Sequence, residues 1–198
     1  ELSSVTDVEI FKADVSDSIQ VKKMFAQIEA AFGGVDVLVN NAGVSQQILF
    51  TDITDEMWQK MINTNLSSAF YCSREALRFM INKKSGRIIN IASMWGETGA
   101  SMEVHYSASK AGLIGLTKAL AKEVGLSGVT VNAVSPGVIM TDMMKAFSEE
   151  DIDALKDETP LNTLGSVENV ADAVSFLASS RADFITGQVI SVDGGYGV

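Results

Sequence analysis

One cysteine, Cys72, and one histidine, His105, stand in 198 residues, and each shortage removes a class of chemistry. A lone thiol cannot close an internal disulfide and has no second thiol with which to build a cysteine-based metal site. Cys72 therefore reads as a small buried apolar residue, and no metal site is expected. No apolar run approaches the roughly 18 residues needed to cross a bilayer. No basic-then-apolar leader opens the sequence, so the expectation is a cytoplasmic protein with no membrane contact. Positive charge is also scarce: 15 Lys and Arg face 25 Asp and Glu, for a net charge of −10. Nucleic-acid binding needs clustered Lys and Arg to displace counterions, so that partner is excluded, and an anionic membrane surface gains no support. The runs Glu149-Glu150-Asp151 and Lys156-Asp157-Glu158 read as solvated helix faces.

What is present is apolar residues, 46% of the chain, enough for one sizeable core in a single domain over residues 1–198. Strand-like and helix-like segments alternate, which predicts an α/β fold with a doubly wound parallel sheet covered by helices. Val8 to Lys12 is the first strand candidate. Ser18 to Phe32 carries helical spacing, and Val35 to Val39 is an apolar strand. From Asp55 a helix runs toward Asn82 with an interruption near Thr64-Asn65. Arg87 to Ala92, Val129 to Val134 and Gln188 to Val192 are further strands. Tyr106 to Val124, Ser148 to Lys156 and Val167 to Ala178 are further helices. Small or polar residues follow the strand ends at Asn40-Asn41-Ala42-Gly43, Ser93 and Pro136-Gly137, so three segments converge on one crevice at the carboxyl edge of the sheet.

Tyr106 and Lys110 are four residues apart in Tyr-Ser-Ala-Ser-Lys, thirteen residues after Ser93. On a helix, positions i and i+4 share a face, so the ammonium can lie near the phenol and favour its ionised form. A phenol with a free pKa of roughly 10 then becomes able to exchange a proton near neutrality. His105, beside Tyr106, is a candidate substrate contact.

In these motifs the chain resembles the short-chain dehydrogenases/reductases. Asn40-Asn41-Ala42-Gly43 resembles that family's Asn-Asn-Ala-Gly motif. Asn65, Ser93, Tyr106 and Lys110 resemble its catalytic tetrad, and Pro136-Gly137 its Pro-Gly turn, all in family order. The resemblance implies hydride transfer between a nicotinamide dinucleotide and a carbonyl or alcohol. Tyr106 would be the general acid in reduction and Ser93 would hold the carbonyl oxygen. Lys110 would lower the Tyr106 pKa and bind the nicotinamide ribose, and Asn65 would support a proton-relaying water. Asp14 and Val15 match the adenine-binding position, and Asn41, Ala42 and Gly43, with Asn40 in the same turn, the adenosine-side wall. Ile139 and Thr141, after the Pro136-Gly137 turn, match the carboxamide and phosphate contacts. Trp95, Glu103, His105 and Met144, with Ser93, are the candidate substrate-binding residues.

The family's Gly-rich turn, Thr-Gly-x-x-x-Gly-x-Gly, is not in the sequence, which opens in what resembles the end of the second helix. The expectation is thus a Rossmann-like sheet lacking its first two strands and helices in this chain, as part of a longer one. Val8 to Lys12 should then stand apart across a gap, the alternative being direct pairing with the strand at Val35 to Val39. The choice between NADP and NAD is usually made at the end of the second strand; NADP is placed ahead of NAD.

Within the family, Thr64 to Ser68, Ala111 to Lys118 and Ile185 to Gln188 resemble 3-oxoacyl-[acyl-carrier-protein] reductases. Gly43 to Gln47, Phe50 to Glu56, Ser93 to Gly96 and Glu103 to Tyr106 resemble the related reductase of 5-aminopentanone-modified elongation factor P. Lys83 and Lys84 supply part of a basic rim for an acidic carrier protein. Ser127 stands where an Arg is common in carrier-protein reductases, and Glu97 and Glu103 suit a substrate bearing an ammonium group. A non-catalytic, oligomer-forming remnant is the competing class. The resemblance implies a homotetramer pairing the helices over Asp55 to Asn82 and Tyr106 to Val124, where Phe70, Leu77, Leu113, Leu116 and Leu120 exceed one sheet-facing stripe. Thr141 to Pro160, with Met140, Met143, Met144 and Phe147, reads as a substrate lid.

Overall fold

The computed structural model describes residues 6–141 and 148–197. Its helices are α1 (Ser18–Phe32), α2 (Asp55–Ile62), α3 (Ser68–Lys83), α4 (Trp95–Thr98), α5 (Val104–Val124), α6 (Glu149–Asp157) and α7 (Val167–Ala178). Among the described residues four strands, β1 (Val37–Asn40), β2 (Gly86–Ile91), β3 (Val129–Pro136) and β4 (Val189–Val192), form one sheet in the order β1-β2-β3-β4. Every pairing is parallel, in a register that sets Asn40 beside Asn90 and Ala133 beside Val189. Parallel strands need crossovers, and these carry the helices that cover both faces.

Side-chain alternation along a strand divides the core. On β2, Ile88 packs with Phe25, Cys72, Ala76, Met80 and Val131 beneath α1, α3 and α5. Its neighbour Ile89 faces the other way, with Val134 and Leu177 beneath α7. Two buried asparagines pin this arrangement. Asn90 accepts from Asn40 Nδ2 at 2.8 Å and donates to Thr117 Oγ1 at 2.8 Å. Asn132 donates to the Ile185 carbonyl at 2.8 Å and accepts from Gln188 N at 3.0 Å. A slip of one residue would leave these buried groups unpaired, so they enforce register as well as apolar burial does. Cys72 lies in the core, where burial pushes its thiol up to about 11.

The expected helices and most strands are present, and the interruption near Thr64-Asn65 is a single π-turn over Asn63–Ser67, in which Ser68 N–H reaches the Asn63 carbonyl. Three expectations change. Val8 to Lys12 is not a strand: no described strand pairs with it, and Phe11 instead meets the Phe32 ring edge-on at 6.4 Å, at the end of α1. A strand exists only as half of a ladder, and the direct pairing with β1 does not form; Val37 and Val39 stay 40% exposed. The strand expected over Val35 to Val39 begins two residues later. Leu113 is 1% exposed and faces the sheet, whereas Phe70, Leu77, Leu116 and Leu120 line an outward groove of ≈540 Å³ between α3 and α5. Of the expected lid, Met143, Met144 and Phe147 lie outside the described residues. Its later part is α6, whose capping box pairs Ser148 with Asp151.

Candidate active site

The parallel topology delivers the carboxyl ends of β1, β2 and β3 to one edge, and the site is built there. Ser93 follows β2, and the first two turns of α5 carry Tyr106 and Lys110. The Tyr106 phenol lies beside the Ser93 side chain, which favours its ionised form; Ser93 Oγ accepts from Trp95 N at 3.2 Å. Lys110 is 4% exposed; its Nζ donates to the Ile91 carbonyl at 2.7 Å and stands 5.7 Å from the Tyr106 ring centroid. Asn65 points inward from the π-turn and is 1% exposed. Its Oδ1 accepts from Val44 N at 2.8 Å and its Nδ2 donates to the Val44 carbonyl at 2.9 Å. An extra residue in the helical turn is what turns this amide toward the strand-end loop.

Electrostatics separate the two titrating groups. Burial lowers Lys110 from 10.5 to about 8, because an ammonium loses hydration that one carbonyl only partly replaces. Tyr106 moves upward: burial raises it, the Ser93 hydrogen bond lowers it, and the Glu103 charge raises it. The net direction is opposite to the lowering expected beside Lys110. The ammonium lies over the ring with a donor committed to Ile91, so the loss of hydration at the phenol prevails. The phenol thus keeps its proton across the neutral range, the state required of a proton donor.

The remaining candidates divide by position. Val15, Asn40, Asn41, Ala42 and Asn65 line a common cavity of ≈150 Å³ beside β1. Asp14 is exposed next to Val15, its carboxylate held low by bonds from the Ser16 side chain and backbone. A Cβ on Gly43 would meet Asn65 Oδ1 at 3.4 Å and Lys110 Nζ at 3.5 Å, so that loop runs directly over the tetrad. Pro136 is tied to the Ser93 loop by Met94 N–H at 3.0 Å, and Gly137 N–H bonds Val192. Ile139 bridges to Gly165, with Thr141 two residues on. Trp95 packs edge-on to Tyr196 at 5.6 Å, and Glu103 accepts from Gln47 Nε2 at 3.3 Å. His105 requires a correction: it is 0% exposed, with Nε2 3.5 Å from Gln46 Oε1, so its ring offers no face to a substrate. Met144 lies outside the described residues.

Two residues that matter here were not visible as such in the sequence. Gly96 permits α4 to lie on α5 backbone to backbone, since a Cβ there would stand 2.8 Å from the Lys110 carbonyl carbon and 3.0 Å from Ala111 N. Ser109, 0% exposed, donates to the Tyr106 carbonyl at 2.7 Å and receives Asn65 Nδ2 at 3.1 Å. Serine is at home on either side of a helix, and only its place between Tyr106 and Lys110 hinted at a role.

Comparison with known proteins agrees with this geometry. The sequence profile of the family described as Enoyl-(Acyl carrier protein) reductase matches residues 1–197. The 3-oxoacyl-[acyl-carrier-protein] reductase FabG of Escherichia coli (strain K12) is 44% identical over 182 residues, 92% of this chain and 75% of the relative. The enzyme of the same name from Staphylococcus aureus (strain N315) is 42% identical over 184 residues, 93% of this chain and 75% of the relative. Among solved structures, a protein assigned as a gluconate dehydrogenase from Agrobacterium tumefaciens superposes with a TM-score of 0.95 at 34% identity, covering 98% of this chain and 78% of the other. One assigned as a short-chain alcohol dehydrogenase from Sinorhizobium meliloti 1021 gives 0.88 at 35% identity, covering 93% and 74%. With sequence and fold in agreement over nearly all its length, the chain belongs to the short-chain dehydrogenases/reductases, a family of NAD(P)-dependent oxidoreductases.

Proposed function

We infer that the protein reduces a ketone to a secondary alcohol, its substrate a 3-oxoacyl thioester carried on an acyl carrier protein and its cofactor NADP ahead of NAD. The observation that carries this reading is the half-buried Tyr106 phenol beside the Ser93 side chain, with the Lys110 ammonium 5.7 Å from its ring centroid one helical turn away. A carbonyl oxygen placed against both hydroxyls would receive a hydrogen bond from Ser93 and a proton from Tyr106 as negative charge builds on it. Lys110 would stabilise the phenolate left behind, and Asn65 would order the path by which a proton returns.

Residues fitting a nicotinamide dinucleotide surround that point. Val15 and Ala42 offer apolar walls, the Asn40 and Asn41 side chains and the Gly43 backbone offer polar groups, and Lys110 a buried ammonium for ribose hydroxyls. Asp14 would reach the adenosine end, and Pro136, Gly137, Ile139 and Thr141 would line the nicotinamide side. The dinucleotide, when bound, supplies the hydride. Trp95, Glu103 and Met144 would border the substrate.

A second reading, reduction of a ketone bearing an ammonium group, as in 5-aminopentanone-modified elongation factor P, is favoured by the Glu103 charge felt at Tyr106. The groove along Phe70, Arg74, Leu77, Leu116 and Leu120 supports pairing into the homotetramer. No helix among the described residues is long and apolar enough to cross a membrane, which fits the proposed cytoplasmic location.

Purified intact protein should consume NADPH with a 3-oxoacyl thioester on carrier protein, faster than with a cationic ketone of similar size, as read by loss of nicotinamide absorbance. The opposite order would transfer the assignment to the second reading. Inertness toward every ketone would end both.

A further inference from the structure

We propose that Ser109 is a positioning residue that fixes the Asn65 amide and so joins the Tyr106-Lys110 helix to the loop at the end of β1; this rests on the reductase reading above. Hydrogen-bond accounting carries it. A serine hydroxyl has one proton to give, and that of Ser109 goes to the Tyr106 carbonyl at 2.7 Å. Toward Asn65, 3.1 Å away, Ser109 can then only accept, so the amide must turn its nitrogen to α5. Val44 makes the same demand from the other side, because its N–H requires the Asn65 oxygen at 2.8 Å and its carbonyl requires the nitrogen at 2.9 Å. The remaining neighbour of Nδ2, Met61 Sδ at 3.0 Å, is a weak acceptor that cannot hold the amide alone.

Both side chains are out of water, Ser109 at 0% and Asn65 at 1% exposure, so no solvent molecule replaces a bond that is lost. The result is a continuous bonded path from the Tyr106 carbonyl through Ser109 and Asn65 to the Val44 backbone, one residue beyond Gly43. Because the space beside the Gly43 Cα, where a Cβ would stand, is bordered by both Asn65 Oδ1 and Lys110 Nζ, a rotation of the Asn65 amide would disturb the ammonium and the loop together. Ser109, 0% exposed, has no face open to a substrate or cofactor and acts through Asn65.

The test uses the intact protein with Ser109→Ala, Asn65→Ala and the double variant. Ser109→Ala is expected to lower kcat about ten-fold with the ketone KM held within about two-fold. The solvent deuterium isotope effect on kcat should grow as proton delivery becomes limiting. In the Asn65→Ala background the Ser109 substitution should cost nothing more, the signature of two groups acting as one unit. Ser109→Cys, which keeps the shape of the side chain but is a poorer acceptor, should fall between parent and Ser109→Ala. Parental kcat and isotope effect in Ser109→Ala, or losses that simply add in the double variant, would overturn the proposal while leaving the reductase assignment intact. A second readout is independent of turnover: the Asn65 side-chain amide protons, followed by nitrogen-15 NMR, should exchange with solvent faster in Ser109→Ala. Unchanged exchange would also overturn it, and should the parent reduce no ketone at all, the reductase reading falls and the exchange measurement alone decides the Ser109–Asn65 link.

Discussion

Tyr106→Phe in the intact protein is expected to abolish nearly all ketone reduction while leaving nucleotide affinity close to the parent's. The substitution deletes one hydroxyl from a ring already held in place by its surroundings, so it removes the proton source without creating a cavity. General acid catalysis is typically worth about 10²- to 10⁴-fold, and the loss should fall in that range. Stability should change little, by about 1 kcal/mol, the scale of one polar contact such as that between the phenol and the Ser93 side chain. Single-turnover kinetics with saturating reduced nucleotide separate the chemical step from binding. Turnover at the parental rate would require a different acid and would remove Tyr106 from the site.

Lys110→Met is expected to disable the site and stabilise the fold, in a pH-dependent way. Burial holds the folded Lys110 at about 8, against roughly 10.4 in an unfolded chain. Between these values the unfolded state binds the extra proton, so the parent gains stability as pH rises through the window. Below pH 8 the full cost of burying the ammonium is present, about 3 kcal/mol from the shift. The 2.7 Å bond to the Ile91 carbonyl, which methionine cannot make, offsets part of it. A net gain of about 1–2 kcal/mol at pH 7 remains, or about 2–8 °C in Tm, and it should vanish above roughly pH 10.5. Turnover should fall about 10²- to 10³-fold, as when a preorganised charge is removed from a reacting centre, and nucleotide binding should weaken with it. A Tm difference that is constant between pH 7 and pH 10.5 would show that the ammonium's burial is not the cause.

The sequence disclosed those parts of the molecule whose causes are local or periodic. Helices α1 and α7 begin and end where the apolar spacing places them, over Ser18–Phe32 and Val167–Ala178, because amphipathicity acts within a few residues. Ser93, Tyr106 and Lys110 were legible from a strand end and the i, i+4 spacing, which carry them to one edge, whereas Asn65 was named only through the family resemblance. What escaped detection depends on contacts between distant segments. Nothing local says that Gly96 must admit the backbone of α5, or that Ser109 meets Asn65. The burial of His105 against Gln46 depends on how two loops meet. Val8 to Lys12 has strand composition, yet composition does not supply a neighbour. The direction of the Tyr106 shift required weighing burial against a nearby cation, a balance that spacing alone cannot decide.

The π-turn at Asn63–Ser67 has a consequence that belongs to the genetics of the protein. A π-turn holds one more residue than the α-turn it replaces, so α2 and α3 together resemble a single longer helix into which a codon has been inserted. Removing the codon for Thr64 should close the gap and leave one uninterrupted helix, with α2 and α3 still presenting their apolar faces to the same partners. The chain would fold, but the inward-turned amide that grips Val44 would be lost. Single-residue deletions are ordinarily most damaging inside helices; at this point the fold should tolerate one and the chemistry should not.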